Sequence, residues 1–362
     1  MNKEEIFEMI KKVLTMMIMS LIFCANIYSG ETSITEPKPQ TIDDLTKAIE
    51  LTPKDAKAYY ERGNAYRKLE EYDKAIADYD TVIELNPNDA TAYHNRGLAY
   101  SNKGDYDRAI SDYSEAIRLK PNYAEVYSVR GLAYYRKGDY DRAISDYSEA
   151  IRLKPNYAEA YYNRGAAYSN KGDYDRAISD CNEAIRLKPN DVKAYSVRGF
   201  IYVKKRDYNR AISDFTKAIE LVPNYAEAYG GRGLVYAYFK GDYDRAISDC
   251  NEAIRLKPND VKAYSVRGLA YYGKGDYDRA ISDYSEAIRL KPNDAEAYYN
   301  RGVAYMYKNM FTVACDDLYQ AGILFLKQNE RTKALVCIDD MKHADPYSPL
   351  IKKLMDKIYE QK

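Results

Sequence analysis

The chain has no tryptophan, seven phenylalanines and only two histidines, His94 and His343, in 362 residues. Neither histidine has ligand-type residues around it at a metal-site spacing, so no metal centre is expected. A surplus of either charge is also missing, because 55 Lys and Arg balance 55 Asp and Glu. Phosphate backbones are bound by clustered cations, so this balance argues against nucleic acid as a partner. There is no glycine-rich phosphate loop and no unique set of nucleophile, acid and base, which points away from an enzyme and from any cofactor. Cysteines number five. Cys181 and Cys250 lie two repeats apart, too far to bridge, and Cys315 and Cys337 could meet only if the C-terminal helices fold back; free, mostly buried thiols are expected.

Long apolar runs are absent with one exception, VLTMMIMSLIFCA at residues 13–25, preceded by Lys11 and Lys12. The run is short for a membrane span and suits the apolar region of an export signal, with a small-residue cleavage site before Gly30. Glu4, Glu5 and Glu8 are unusual so close to such a segment, and initiation at Met9 would give a cleaner start. A membrane association would follow only if the segment stays uncleaved or if Cys24 is lipidated, and Phe23 is too large for the residue that precedes a lipidated cysteine. The expectation is an exported chain of the periplasm or cell envelope, with 1–29 as signal and 30–40 as linker.

What is abundant is tyrosine, 41 residues, and repetition: GDYDRAISDYSEAIRLKPNYAE occurs at 104–125 and again at 138–159. Prolines stand at 53, 87, 121, 155, 189, 223, 258 and 292, always 34 apart except once, where the step is 35. A fixed period in this range is the mark of a solenoid. In the unit beginning at Ala90, Tyr93, Gly97 and Tyr100 form one helical stripe, and Gly104 ends that helix. Asp105 caps a second helix, which carries Tyr106, Ala109, Tyr113, Ala116 and Ile117 and stops before Pro121. Neither helix can bury its stripe alone, so the hairpins must stack.

Tyr93, Gly97, Tyr100, Ala109, Tyr113, Ala116 and Pro121 resemble, in order and spacing, the framework of the tetratricopeptide repeat. The likeness recurs in eight units over residues 56–328. It implies an all-α, right-handed superhelical solenoid of helix-turn-helix hairpins. A glycine from Gly63 to Gly302 faces an alanine from Ala75 to Ala314 in every unit, allowing close approach. Residues 41–55 match only a second helix and form an N-terminal half-repeat cap, while 329–362 hold a degenerate half-repeat and a final capping helix with Leu350, Ile351, Leu354 and Ile358 on one face. One departure is systematic: the family's leucine before the small glycine is arginine here, from Arg62 to Arg301, and each second helix carries an aspartate, from Asp78 to Asp317. A partly buried Arg–Asp pair that fixes register is expected. A second departure is one extra residue within Ala237–Lys240; it either pushes Tyr238 or Phe239 outward or is a harmless loop slip left by duplication, and the copied block at 173–199 and 242–268 favours the slip.

The resemblance also implies a protein–protein interaction scaffold or adaptor that holds peptide segments or helices of other proteins on a concave face lined by first helices. Its contact positions include Tyr60, Asn64, Arg67, His94, Asn95, Leu98, Tyr135, Tyr162, Phe200, Lys204, Tyr238, Tyr272, Tyr299 and Tyr307. These slots vary between copies while the second helices barely change. A known subclass grips a chain-terminal carboxylate with lysines and asparagines; Asn64 and Asn95 match it, but Tyr60, Glu125 and Val129 stand where cations are needed. Two other readings stay open: a self-associating solenoid forming dimers or filaments, and a binder of cell-wall glycan or peptide through the groove tyrosines.

Overall fold

The computed structural model describes residues 41–360, so the signal and linker expected before Thr41 lie outside the described residues. The chain divides into two compact units, residues 1–205 and 206–362.

In the first unit, α1 (Ile42–Leu51) precedes four complete hairpins and one further first helix. The hairpins pair α2 (Ala56–Lys68) with α3 (Tyr72–Leu85), α4 (Ala90–Asn102) with α5 (Tyr106–Leu119), α6 (Ala124–Arg136) with α7 (Tyr140–Leu153), and α8 (Ala158–Asn170) with α9 (Tyr174–Leu187); α10 (Val192–Lys204) follows. Helix α1 starts in a reciprocal capping box between Thr41 and Asp44 and buries Leu45 and Ile49. The first helices start from a capping aspartate in α2, α4 and α10, where Asp55, Asp89 and Asp191 accept backbone N–H groups. In α6 and α8 the corresponding residue is Tyr123 or Tyr157, with no side-chain cap.

The second unit runs α11 (Tyr208–Leu221), α12 (Ala226–Val235), α13 (Tyr243–Leu256), α14 (Val261–Gly273), α15 (Tyr277–Leu290), α16 (Ala295–Tyr307), α17 (Phe311–Lys327), α18 (Arg331–Ala344) and α19 (Pro349–Glu360). The extra residue after α12 is absorbed as one π-helical turn, Tyr236–Lys240, closed by Gly241 at φ 62°. Phe239 is not pushed into solvent: it stacks on Tyr208 with ring centroids 4.1 Å apart, and Tyr238 stays half-buried. At the C-terminus the second helix of the last hairpin runs on through Gly322 and Phe325, and α19 lays Leu354 and Ile358 into the terminal core with Phe325, Ala334 and Met341. Both units are built from helices alone, an all-α helical repeat solenoid.

Small residues set the hairpin spacing, but the facing partner is chiefly a ring rather than alanine. A methyl group on Gly97 would come within 2.6 Å of Tyr113, and one on Gly63 within 2.9 Å of Tyr79. Where cysteine takes the ring's place, the nearest groups at Gly165 are the Ala177 carbonyl and the Cys181 sulfur. Between the helices of each hairpin the turn needs a left-handed residue. Glycine supplies it at Gly104, Gly138, Gly172 and Gly275, while Glu70, Arg206, Asn309 and Asn329 adopt the same φ with a side chain.

The repeated arginine does more than pair within its hairpin. Arg130 donates from Nε and Nη2 to both oxygens of Asp146 at 2.8 Å, and from Nη1 to Ser114 Oγ of the preceding second helix at 3.1 Å. The two-pronged pair recurs at Arg62–Asp78, Arg96–Asp112, Arg164–Asp180, Arg232–Asp249, Arg267–Asp283 and Arg301–Asp317. In these six the third bond finds Thr46, Asp80, Ser148, Thr216, Asn251 and Ser285 in turn, and Arg198 makes the same bond to Asn182. Each guanidinium also lies 5.4–5.9 Å from the ring of the tyrosine three residues before it, Tyr127 for Arg130 and Tyr264 for Arg267. So most first-helix tyrosines of the Tyr93 type are fixed by framework arginines.

Candidate protein-binding face

Bonds that join one first helix to the next, skipping the second helices, mark out a face made of first helices alone. In the first unit Asn95 of α4 donates to the Tyr60 hydroxyl of α2 at 2.6 Å. Further along, Lys204 of α10 donates to Asn170 of α8 at 2.6 Å, and Asn170 donates to the Tyr135 hydroxyl of α6 at 2.7 Å. These bonds hold polar groups in a row at fixed spacing without covering the face.

The sequence-expected contacts divide into two groups. Tyr60, Asn64, Arg67, His94 and Leu98 are half-buried on this face of the first unit; within the second unit Tyr238, Tyr272 and Tyr299 are half-buried and Tyr307 is 59% exposed. Asn95, Tyr135, Tyr162, Phe200 and Lys204 are corrections, because all five are buried. Their positions point between neighbouring first helices rather than out from them: Tyr135 packs edge-on against Tyr140 and is closed over by its Asn170 bond. Tyr299 is partly committed as well, donating to Asp340 of α18 at 2.9 Å. In the second unit Tyr307 meets Tyr272 edge-to-face and stacks with Tyr277, a small aromatic cluster that continues to exposed Met310 and Phe311.

Two second-helix tyrosines, Tyr79 and Tyr113, also reach this face. Lying across Gly63 and Gly97, the rings of Tyr79 and Tyr113 carry their hydroxyls through to the first-helix side. Tyr79 donates to Asn64 Oδ1 at 2.8 Å, and Tyr113 ends beside Ser101 and Arg67. Burial pushes the Tyr79 phenol up to about 12. His94 is driven the other way, down to about 4, by burial and then by the charge of Arg67, against a weaker pull from Glu125. Its ring is therefore neutral at pH 7, and its Nδ1 lies 3.4 Å from the Tyr123 hydroxyl. The signal for the reaching hydroxyls was present in the sequence: the slot reads Tyr, Tyr, Tyr, Cys, Phe, Cys, Tyr, Leu along the array, opposite an unvarying glycine.

The cysteines Cys181, Cys250, Cys315 and Cys337 are free and buried. Among the described residues no cluster of three or more His, Cys, Asp or Glu could hold a metal, and no helix is long and apolar enough to cross a membrane.

Stacked two-helix repeats of this kind define a scaffold for protein–protein interaction. The chain belongs to the tetratricopeptide repeat family: the TPR repeat pattern matches residues 63–104, 102–138, 131–172, 238–275 and 268–308, and further tetratricopeptide patterns match 158–191, 192–225 and 45–77. No curated protein matches the chain. Among solved structures it is similar to the Cut9–Hcn1 hetero-tetramer of the APC/C, at 17% identity over 88% of this chain and 58% of that one, with a TM-score of 0.57. A tetratricopeptide repeat protein from Parabacteroides merdae is 21% identical over 75% of this chain and 98% of its own, with a TM-score of 0.50. YrrB, a TPR protein with an unusual peptide-binding site, is 27% identical over 52% of this chain and 97% of its own, with a TM-score of 0.43.

Proposed function

We propose that the protein is an exported adaptor that docks segments of other envelope proteins on its first-helix face. The observation that carries this reading is a division of labour between the helices. Second helices spend their conserved-looking side chains on framework bonds, as the seven described Arg–Asp pairs do. First helices present half-buried groups that differ from copy to copy, and some of the buried polar atoms there or nearby, Arg67 Nε, Tyr113 hydroxyl and Asn163 Oδ1, have no hydrogen-bond partner among the described residues. Groups left in that state are costly in a folded protein and are satisfied when a partner arrives. Export rests on the apolar run behind Lys11 and Lys12 and on nothing further along the chain.

The test is site-specific photocrosslinking in cells. A photoreactive residue at Leu98 or Tyr307 samples the first-helix face, and one at Ser111 or Ser282 samples exposed second-helix surface. Adducts with other proteins are expected from 98 and 307 only. Adducts of equal yield from all four sites, or adducts of the chain with itself alone, would overturn the reading.

A further inference from the structure

We propose that Arg67, the Tyr113 hydroxyl and the His94 ring form a receptor for a carboxylate on the docked partner segment. The inference rests on the docking reading above and adds the chemistry that the segment must carry.

Arg67 differs from the framework arginines. Seven of those are matched to an aspartate, whereas among the described residues Arg67 Nε is buried with no acceptor and the guanidinium makes no ion pair. Its neighbours are neutral: the hydroxyls of Tyr79 and Tyr113 and the imidazole of His94. The carboxylates nearby do not answer it, since Glu125 is bonded to Lys154 at 2.9 Å and Glu70 is exposed at the turn. A half-buried cation whose partner is the neutral Tyr79 hydroxyl rather than a counter-charge loses solvation that a phenol only partly replaces.

The surrounding groups are donors or can be. The Tyr113 hydroxyl is buried and has no partner at bonding distance. The tautomer in which His94 Nδ1 accepts from the Tyr123 hydroxyl carries its ring proton on Nε2, where it is a second neutral donor. One positive charge with two neutral donors suits a carboxylate, which brings one negative charge and two acceptor oxygens. A doubly charged phosphate would call for more cations. The set is not the lysine–asparagine clamp, whose lysine positions hold Tyr60 and Glu125.

Two histidines make the test direct, because ring-labelled full-length protein gives signals from His94 and His343 alone. Three probes are titrated: acetylated, amidated hexaglutamate; the same peptide in glutamine; and acetyl-tetra-alanine with a free C-terminus. Hexaglutamate is expected to move the His94 signals and leave His343 in place, and hexaglutamine to move neither. Arg67→Gln should weaken the response roughly 10–100-fold, as loss of a charge-assisted forked bond does, and Arg67→Lys should keep part of it. Unchanged His343 signals and far-UV spectra show that the variants are folded. Movement with tetra-alanine alone keeps the receptor and assigns its ligand to a chain end. No movement with either carboxylate probe, or a full response in Arg67→Gln, overturns the proposal. If crosslinks form from Leu98 while His94 stays still, the receptor fails and docking stands; if both are silent, docking fails with it.

Discussion

Replacing Arg130 and Asp146 singly and together tests whether the repeated ion pair is a matched unit. The Asp146 side chain is 8% exposed and that of Arg130 18%. Arg130→Leu strands the carboxylate and removes the donor to Ser114, an expected loss of about 3 kcal/mol, the low end of the range for breaking a buried pair because the guanidinium is partly wet. Asp146→Leu leaves the guanidinium with Ser114, the Tyr127 face and some water, an expected loss of about 2 kcal/mol. The double variant removes both charges and should fall within about 1 kcal/mol of the parent, giving a coupling of about 4–6 kcal/mol. The protonation of Asp146 agrees: burial raises its carboxyl above the usual range in spite of Arg130. The fold thus binds this proton more tightly than the unfolded chain does. The stability it contributes is complete below the ordinary carboxylate range and is lost as pH rises through the raised value, so the ionised pair adds little at neutrality. The assay is urea unfolding of the full chain by far-UV circular dichroism, accepted only where the slope is unchanged. Additive single losses, with coupling under about 1 kcal/mol, would refute the reasoning and leave the third bond, to the neighbouring hairpin, as the stabilising element.

Three further outcomes are expected. Glu70 holds φ 61° where other units use glycine, so Glu70→Gly should stabilise by about 0.5–1 kcal/mol in the same assay, and a loss would show that the side chain is needed there. His94 is neutral in the fold down to about pH 4 while the unfolded chain takes its proton near 6.5. Stability should therefore fall by up to about 3 kcal/mol between those values as pH drops, and His94→Gln should flatten that part of the profile. Removing residues 349–362 uncovers the core around Phe325 and Met341, so light scattering should grow with concentration; a truncated chain that stays monomeric would count against self-association through that end.

Most of the fold was legible because its determinants recur at one period. Gly97, Ala109 and Pro121 are read eight times over, and noise in one copy is corrected by the others. The Arg–Asp pairing could be read for the same reason, although its reach into the preceding hairpin could not, since Thr46, Asp80, Ser114 and Asn182 share an acceptor oxygen rather than a residue type. The face was less legible. A helical register fixes the direction of a side chain to within a turn, yet Tyr135 is buried and Tyr60 only half-buried although each hydroxyl accepts from an asparagine of the next first helix. The insertion at 237–240 left two outcomes open in the sequence, and the structure takes the milder one because a π turn can take up one residue without unwinding the hairpin.

The tolerance of the arginine's third bond bears on how such a gene changes length. A stretch of 27 residues at 173–199 returns unaltered at 242–268, one copy offering Asn182 and the other Asn251 to the next arginine. Any inserted block brings an arginine at its leading edge and an oxygen acceptor at its trailing edge, so both new seams close with hydrogen bonds already in use. Unequal recombination can therefore lengthen or shorten the array without inventing an interface.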